Sequence, residues 1–218
     1  MSIASNILQI QQSIGSNVTL VAVSKFKPNE DLLEAYVAGQ RVFGENYVQE
    51  LIDKQASLPA DIQWHFIGHL QRNKVKSIVP FVSLIHGVDS LRLLEEINKQ
   101  GQAINRVIPC LLQMHIATEA SKEGLDSEEL GVISQNIAAY PFVNIQGLMG
   151  MASFTDNMKQ VRSEFESLKA HFDNLKTLDN PNLQMKTLSM GMSGDYPLAI
   201  QVGSNMIRVG TLIFGSRK

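Results

Sequence analysis

The 218-residue chain has a single cysteine, Cys110, so neither an internal disulfide nor a cysteine-built zinc cluster is open to it. Cys110 lies in the apolar run Val107 to Met114, which marks it as a small core side chain rather than a reactive thiol. Neither sign of charge is in excess: 19 Lys and Arg against 21 Asp and Glu leave a formal net charge of −2. That balance gives no electrostatic footprint for nucleic acid or for an anionic membrane surface. Long apolar runs are also missing, and no stretch approaches the roughly 20 residues a membrane span needs. The segment Met1 to Gly15 has no basic start and no continuous apolar core, unlike a secretory signal, so the cytoplasm is the expected location. Gly-x-Gly-x-x-Gly does not follow the first apolar run, which argues against a dinucleotide-binding doubly wound sheet.

What remains is an ordinary globular composition, 44% hydrophobic and 18% charged, able to bury a large core. Short β-rich runs alternate with amphipathic segments throughout. The runs are Val18–Val23, Arg41–Phe43, Trp64–Ile67, Val82–Val88, Val107–His115, Val143–Met149, Gln184–Leu188 and Met206–Val209. Between them, apolar residues step by threes and fours, most clearly at Met158, Val161, Phe165, Leu168, Phe172 and Leu175. Asp89-Ser90 supplies an N-cap signal ahead of Leu91, Leu94 and Ile97. Eight strands separated by helical or turn segments, after an N-terminal helix over 2–14, predict an α/β fold, a (β/α)8 barrel of the TIM type. No linker or charge block divides residues 1–218, so one domain is expected, with 117–126 its longest polar loop on the strand-end side.

The first strand ends in Ser24-Lys25-Phe26-Lys27-Pro28. Lys25 shares parity with Thr19, Val21 and Val23, which alternation would turn inward, while Val18, Leu20 and Ala22 face the helices. Lys27 precedes a proline and falls in an extended loop. Lys25 therefore either snorkels to solvent or stands at the barrel mouth as a carbonyl-reactive amine. Small residues follow strand seven (Ser189-Met190-Gly191-Met192-Ser193-Gly194) and strand eight (Gly210-Thr211), the two loops with which barrels often hold phosphate. A helix expected from Asp195 would turn its N-terminus to the same place. Arg208, charged within an apolar strand, needs a partner, either a ligand ring atom or a structural ion pair. An aldehyde-trapping lysine, a phosphate cradle and a buried arginine together describe a site for pyridoxal 5′-phosphate. The histidines His65, His69, His86 and His115 lack metal-ligand spacing and are taken as loop or core residues.

Six segments in order carry a family resemblance: Val21-Ala22-Val23-Ser24-Lys25, Phe43-Gly44-Glu45-Asn46-Tyr47, Trp64 through Lys74, Gly147-Leu148-Met149, Ser189 through Ser193, and Arg208-Val209-Gly210-Thr211. They resemble the pyridoxal phosphate homeostasis protein family, single-domain relatives of the alanine racemase N-terminal barrel. The resemblance implies that Lys25 forms the internal aldimine, that Asn46 lies against the cofactor, and that Arg208 faces the pyridine nitrogen. It further implies that Ser193, Gly210 and Thr211 bind the phosphate. An arginine at the ring nitrogen keeps its own proton and weakens the ring as an electron sink. His69, where proline or another small residue is common, and Gly194, where the family varies, depart from the pattern.

Three functions follow. The first is a pyridoxal phosphate carrier with little or no catalysis, acting in cofactor homeostasis and supplying apo-forms of dependent enzymes, expected as a monomer. The added β domain of alanine racemases, which brings a second base, has no counterpart in the seven residues after Thr211. The second is an amino-acid racemase using Tyr47 or Tyr196 as that base. The third is a cofactor-free Schiff-base lyase in which Lys25 attacks a sugar-phosphate ketone.

Overall fold

The computed structural model describes residues 2–117 and 123–215. Eight parallel strands close into a barrel in chain order: β1 (Thr19–Val23), β2 (Val42–Glu45), β3 (Gln63–Phe66), β4 (Leu84–Val88), β5 (Ile108–Met114), β6 (Val143–Gly150), β7 (Leu183–Ser189) and β8 (Met206–Val209). The helices around it are α1 (Ile3–Ile14), α2 (Asn29–Val37), α3 (Val48–Ser57), α4 (Val75–Ile78), α5 (Leu91–Ala103), α6 (Ser127–Asn136), α7 (Met158–Lys176), α8 (Tyr196–Val202) and α9 (Thr211–Phe214). This is the (β/α)8 barrel with an extra N-terminal helix that the alternation of runs predicts. Of the polar loop 117–126, residues 118–122 lie outside the described residues.

Alternation along the strands divides the apolar side chains into two cores. Leu20 and Ala22 of β1, Phe43 of β2, Trp64 and Phe66 of β3, and Ile207 and Val209 of β8 pack against the helices. The opposite parity fills the barrel itself, where Val21, Leu84, Leu111, Met149 and Met206 form a separate cluster. Fully burying each such side chain stabilises the fold by about 1.5–3 kcal/mol. Cys110 is buried in the outer core, and burial raises its thiol pKa, as befits an inert side chain.

The helices show local causes. Ser2 caps α1 by accepting from the Ser5 N–H, and Asp126 with Glu129 forms a reciprocal capping box at α6. Ser90 takes the N-cap position of α5, but its hydroxyl donates to Asp89 instead of accepting from the helix. In α7, Val161, Phe165, Leu168, Phe172 and Leu175 are buried as their spacing requires, whereas Met158 is exposed at the first residue. Glu164 joins the buried stripe instead. Register shifts in β6 on both its neighbours centre near Gly147, whose φ is 153°. A Cβ there would stand 1.7 Å from the Thr187 carbonyl oxygen, so only glycine fits the bulge.

Candidate cofactor-binding site

The C-terminal ends of the strands form the mouth. Lys25 lies two residues past β1, half-buried, in a turn closed by the Lys27 N–H donating to the Ser24 carbonyl at 3.0 Å. The turn is held from behind by a buried charge network. Ser24 Oγ donates to Glu45 Oε1 at 2.6 Å, and Lys54 Nζ of α3 donates to the Ser24 carbonyl and to Glu45 Oε1, both at 2.8 Å. Lys54 also pairs with Glu50 at 2.7 Å, and Glu50 accepts from the Phe26 N–H at 2.6 Å. That bond fixes Phe26 in the left-handed region, at φ 63°. Two backbone bonds, one on each side of Lys25, thus come from the same two α3 residues. Burial raises the Glu45 carboxyl above its ordinary range, against the pull of the Lys54 ammonium.

Lys27 is engaged elsewhere. Its Nζ donates to the carbonyl of Phe214 at 2.9 Å, at the C-terminal end of α9. Asn46 follows β2 directly, and its Oδ1 is buried without a partner. Pairing of β8 with β1 sets Arg208 beside Val21, deep in the barrel, and Gly210 at the level of Val23. A Cβ on Gly210 would come within 3.1 Å of the Val23 carbonyl oxygen, so the bare backbone permits the β8 loop to close over β1. The Arg208 N–H donates to the Gly191 carbonyl at 3.0 Å, joining the loop that carries Ser193 to β8. Within that loop the Met192 N–H donates to Asp195 Oδ1 at 2.5 Å, ahead of α8. Ser193 is half-buried and Thr211 exposed.

Arg208 is buried in the barrel, and no carboxylate lies within ion-pair distance of it among the described residues. Its partners are neutral: Nη1 donates to the Ser189 carbonyl (2.9 Å) and to Ser189 Oγ (2.7 Å), and Nη2 donates to the Gly150 carbonyl (3.1 Å). The structural ion pair open at the level of sequence is thus not what the barrel contains. Burial lowers the guanidinium pKa to about 10, Asp195 opposing, which leaves it a cation at neutral pH. Behind it, Ser189 Oγ lies 3.2 Å from His86 Nδ1, and His86 Nε2 lies 3.0 Å from His65 Nδ1. Burial drops His65 to about 3 and His86 well below the ordinary histidine value, the latter also through the charges of His65 and Arg208.

Sequence reasoning took His65 and His86 as loop or core residues and missed their link to Arg208. The available signal was parity: His65 alternates with Trp64 and Phe66, and His86 with Ile85, so both face the barrel interior as Arg208 does. It also missed Glu45, Lys54 and Glu50. His69 lies at the mouth, 3.0 Å from Asp89 and 2.8 Å from Glu123. The two tyrosines considered as second bases lie apart from one another. Tyr47 is half exposed with its ring tilted at 44° against Phe26, centroids 5.0 Å apart, while the Tyr196 hydroxyl is 3.3 Å from Ser13 Oγ of α1. No helix among the described residues is long and apolar enough to cross a membrane.

A family model described as alanine racemase, N-terminal domain, matches residues 1–218. The pyridoxal phosphate homeostasis protein of Pasteurella multocida is 38% identical over 232 residues, spanning 100% of this chain and 98% of its own. PipY of Synechococcus elongatus, solved with pyridoxal phosphate bound, superposes with a TM-score of 0.90 at 37% identity, over 98% of this chain and 100% of its own. Alanine racemase from Bartonella henselae, at a TM-score of 0.75 and 18% identity, shares the fold, and this chain covers 58% of it. Along its whole length the chain belongs to the pyridoxal phosphate homeostasis protein family, built on the barrel of the alanine racemase N-terminal domain.

Proposed function

We propose that this chain binds pyridoxal 5′-phosphate at the barrel mouth, holds it at Lys25, and serves intracellular homeostasis of the cofactor and its supply to apoenzymes, with little or no catalysis. The observation that carries this reading is Arg208, a buried cation held by neutral acceptors beneath the strand that leads to Lys25. Three of its five N–H donors are engaged by protein, which leaves two for a ligand acceptor such as a pyridine nitrogen. The orphaned Asn46 Oδ1 and the close approach at Gly210 suit the same ligand. When bound, the cofactor supplies an aldehyde that condenses with a lysine amine and a ring able to accept electrons.

In this reading Ser193, Gly210 and Thr211 meet the phosphate, Asn46 lies against the ring, and Arg208 holds its own proton toward the ring nitrogen. A donor that keeps its proton leaves the ring a weak electron sink, which favours storage over carbanion chemistry. The names of the relatives support the same role. The racemase reading rests on the barrel shared with alanine racemases, and needs a second base from Tyr47 or Tyr196. A monomer in solution completes the proposal.

Borohydride reduction of the protein mixed with pyridoxal phosphate, followed by peptide mass mapping, is expected to place the label on Lys25 and to give none in Lys25→Ala. Label retained on Lys27 or another lysine would refute the assignment. Proton exchange of amino acids in deuterium oxide at about one turnover per second or faster would favour the racemase.

A further inference from the structure

We infer that Ser189, His86 and His65 are positioning residues that aim Arg208 at the ring nitrogen, so that the protein selects pyridoxal phosphate over a phosphorylated aromatic aldehyde lacking that nitrogen. The inference rests on the cofactor reading above and concerns residues that do not touch the ligand in it.

Donor and acceptor counts fix the polarity of this chain. Arginine has donors only, so Ser189 Oγ accepts from Arg208 Nη1. The serine hydroxyl then has one hydrogen to give, and its other neighbour is His86 Nδ1. If that nitrogen accepts, the neutral His86 carries its proton on Nε2 and donates it to His65 Nδ1, whose own proton is on Nε2. Every bond in the chain then runs away from the guanidinium. The opposite polarity would have Ser189 accept twice and leave its buried hydroxyl hydrogen without an acceptor, an arrangement costing free energy. A proton added to either imidazole would force the same fault and place a second cation against Arg208. The chain is therefore neutral and one-directional.

Its groups come from four strands: His65 on β3, His86 on β4, Ser189 on β7 and Arg208 on β8. They cross the barrel interior and fix one edge of a planar guanidinium from behind, with Gly150 of β6 fixing a second point. A guanidinium is rigid, so those contacts set the direction of its remaining N–H groups. Without Ser189 Oγ the cation keeps its charge, its burial and its bonds to the Ser189 and Gly150 carbonyls, but loses the side-chain contact that ties its orientation to the histidine pair. Affinity for anything held by the lysine and the phosphate loops would change little, while discrimination at the ring nitrogen would fall.

The test compares dissociation constants, read from the visible band of the lysine-bound aldehyde, for pyridoxal phosphate and for its ring-carbon analogue, a phosphomethyl salicylaldehyde. The parent protein is expected to prefer pyridoxal phosphate by about tenfold or more, the worth of one charge-assisted hydrogen bond. Ser189→Ala is expected to lower that ratio by on the order of fivefold, and Ser189→Thr to restore it. An unchanged ratio in Ser189→Ala, with both aldehydes bound, overturns the positioning role and leaves the cofactor reading intact. Failure of the parent to bind either aldehyde defeats both. In the cofactor-free parent, nitrogen NMR is expected to show His65 and His86 neutral and protonated on Nε2; Nδ1 protonation of His86 overturns the inference without any ligand.

Discussion

Two neutral histidines sealed in a barrel make stability depend steeply on acid. His65 titrates near 6.5 in the unfolded chain and is lowered to about 3 in the fold, and burial lowers His86 well below the ordinary histidine value too. For a base with a depressed folded pKa, the unfolded chain binds the proton first, so stability is intact above 6.5 and declines from there down to about 3. Moving from pH 7 to pH 5 then costs about 2 kcal/mol for His65, and His86 adds to the loss with the same sign. Glu45 has the opposite sign: its raised pKa favours the folded state as acid is added toward 4.5, and it softens the decline. Urea unfolding at the two pH values, followed by the fluorescence of Trp64, the chain's one tryptophan, measures the loss. The double variant His65→Gln, His86→Gln is expected to start less stable at pH 7 but to lose at least about 2 kcal/mol less on the way to pH 5. If it declines as steeply as the parent, the buried histidines are not the cause and the reasoning fails.

Lys54→Met leaves the fully buried Glu45 without its cation, and is expected to lower stability by about 3–5 kcal/mol in urea unfolding. A loss below about 1 kcal/mol would show that the network behind Lys25 is not coupled as its distances indicate. Gly147→Ala drives a Cβ into the Thr187 carbonyl and is expected to cost on the order of 3 kcal/mol or more, seen as a fall in melting temperature. A soluble variant melting with the parent would mean the bulge relaxes freely.

Much of the barrel was legible because it is a matter of local pattern. β-Branched runs gave strands whose ends shift by two residues at most, as at Val82 against the observed start at Leu84, and three-four spacing marked positions within the helices. Alternation assigned Val21 to the interior and Leu20 and Ala22 to the helix side, as the two cores have it. Lys25 and Lys27 share a parity, and only the proline after Lys27 separated them; it said that Lys27 leaves the strand, not that it caps α9. What was not legible depends on closure. His65 and Ser189 are more than a hundred residues apart in sequence and become linked through His86 only when β3, β4 and β7 take their places around one axis. Periodicity tells which face a residue occupies, not its height, and the relay depends on height. Glu164 escaped notice for a different reason: it is a charged residue in an apolar stripe, buried because it receives Ser153 N–H and Oγ–H at 2.7 Å each.

The bond from Lys27 to the end of α9 has a geometric consequence. It bridges the two segments that close the barrel seam, one leading from Lys25 and the other from Gly210 and Thr211, and so ties the gap between them to one bond. On the proposed binding mode, a ligand gripped by its aldehyde at one end and its anion at the other is gauged for length, much as a caliper reads a part. Aldehydes whose phosphate is one bond nearer or farther would engage one end and miss the other, whatever their charge.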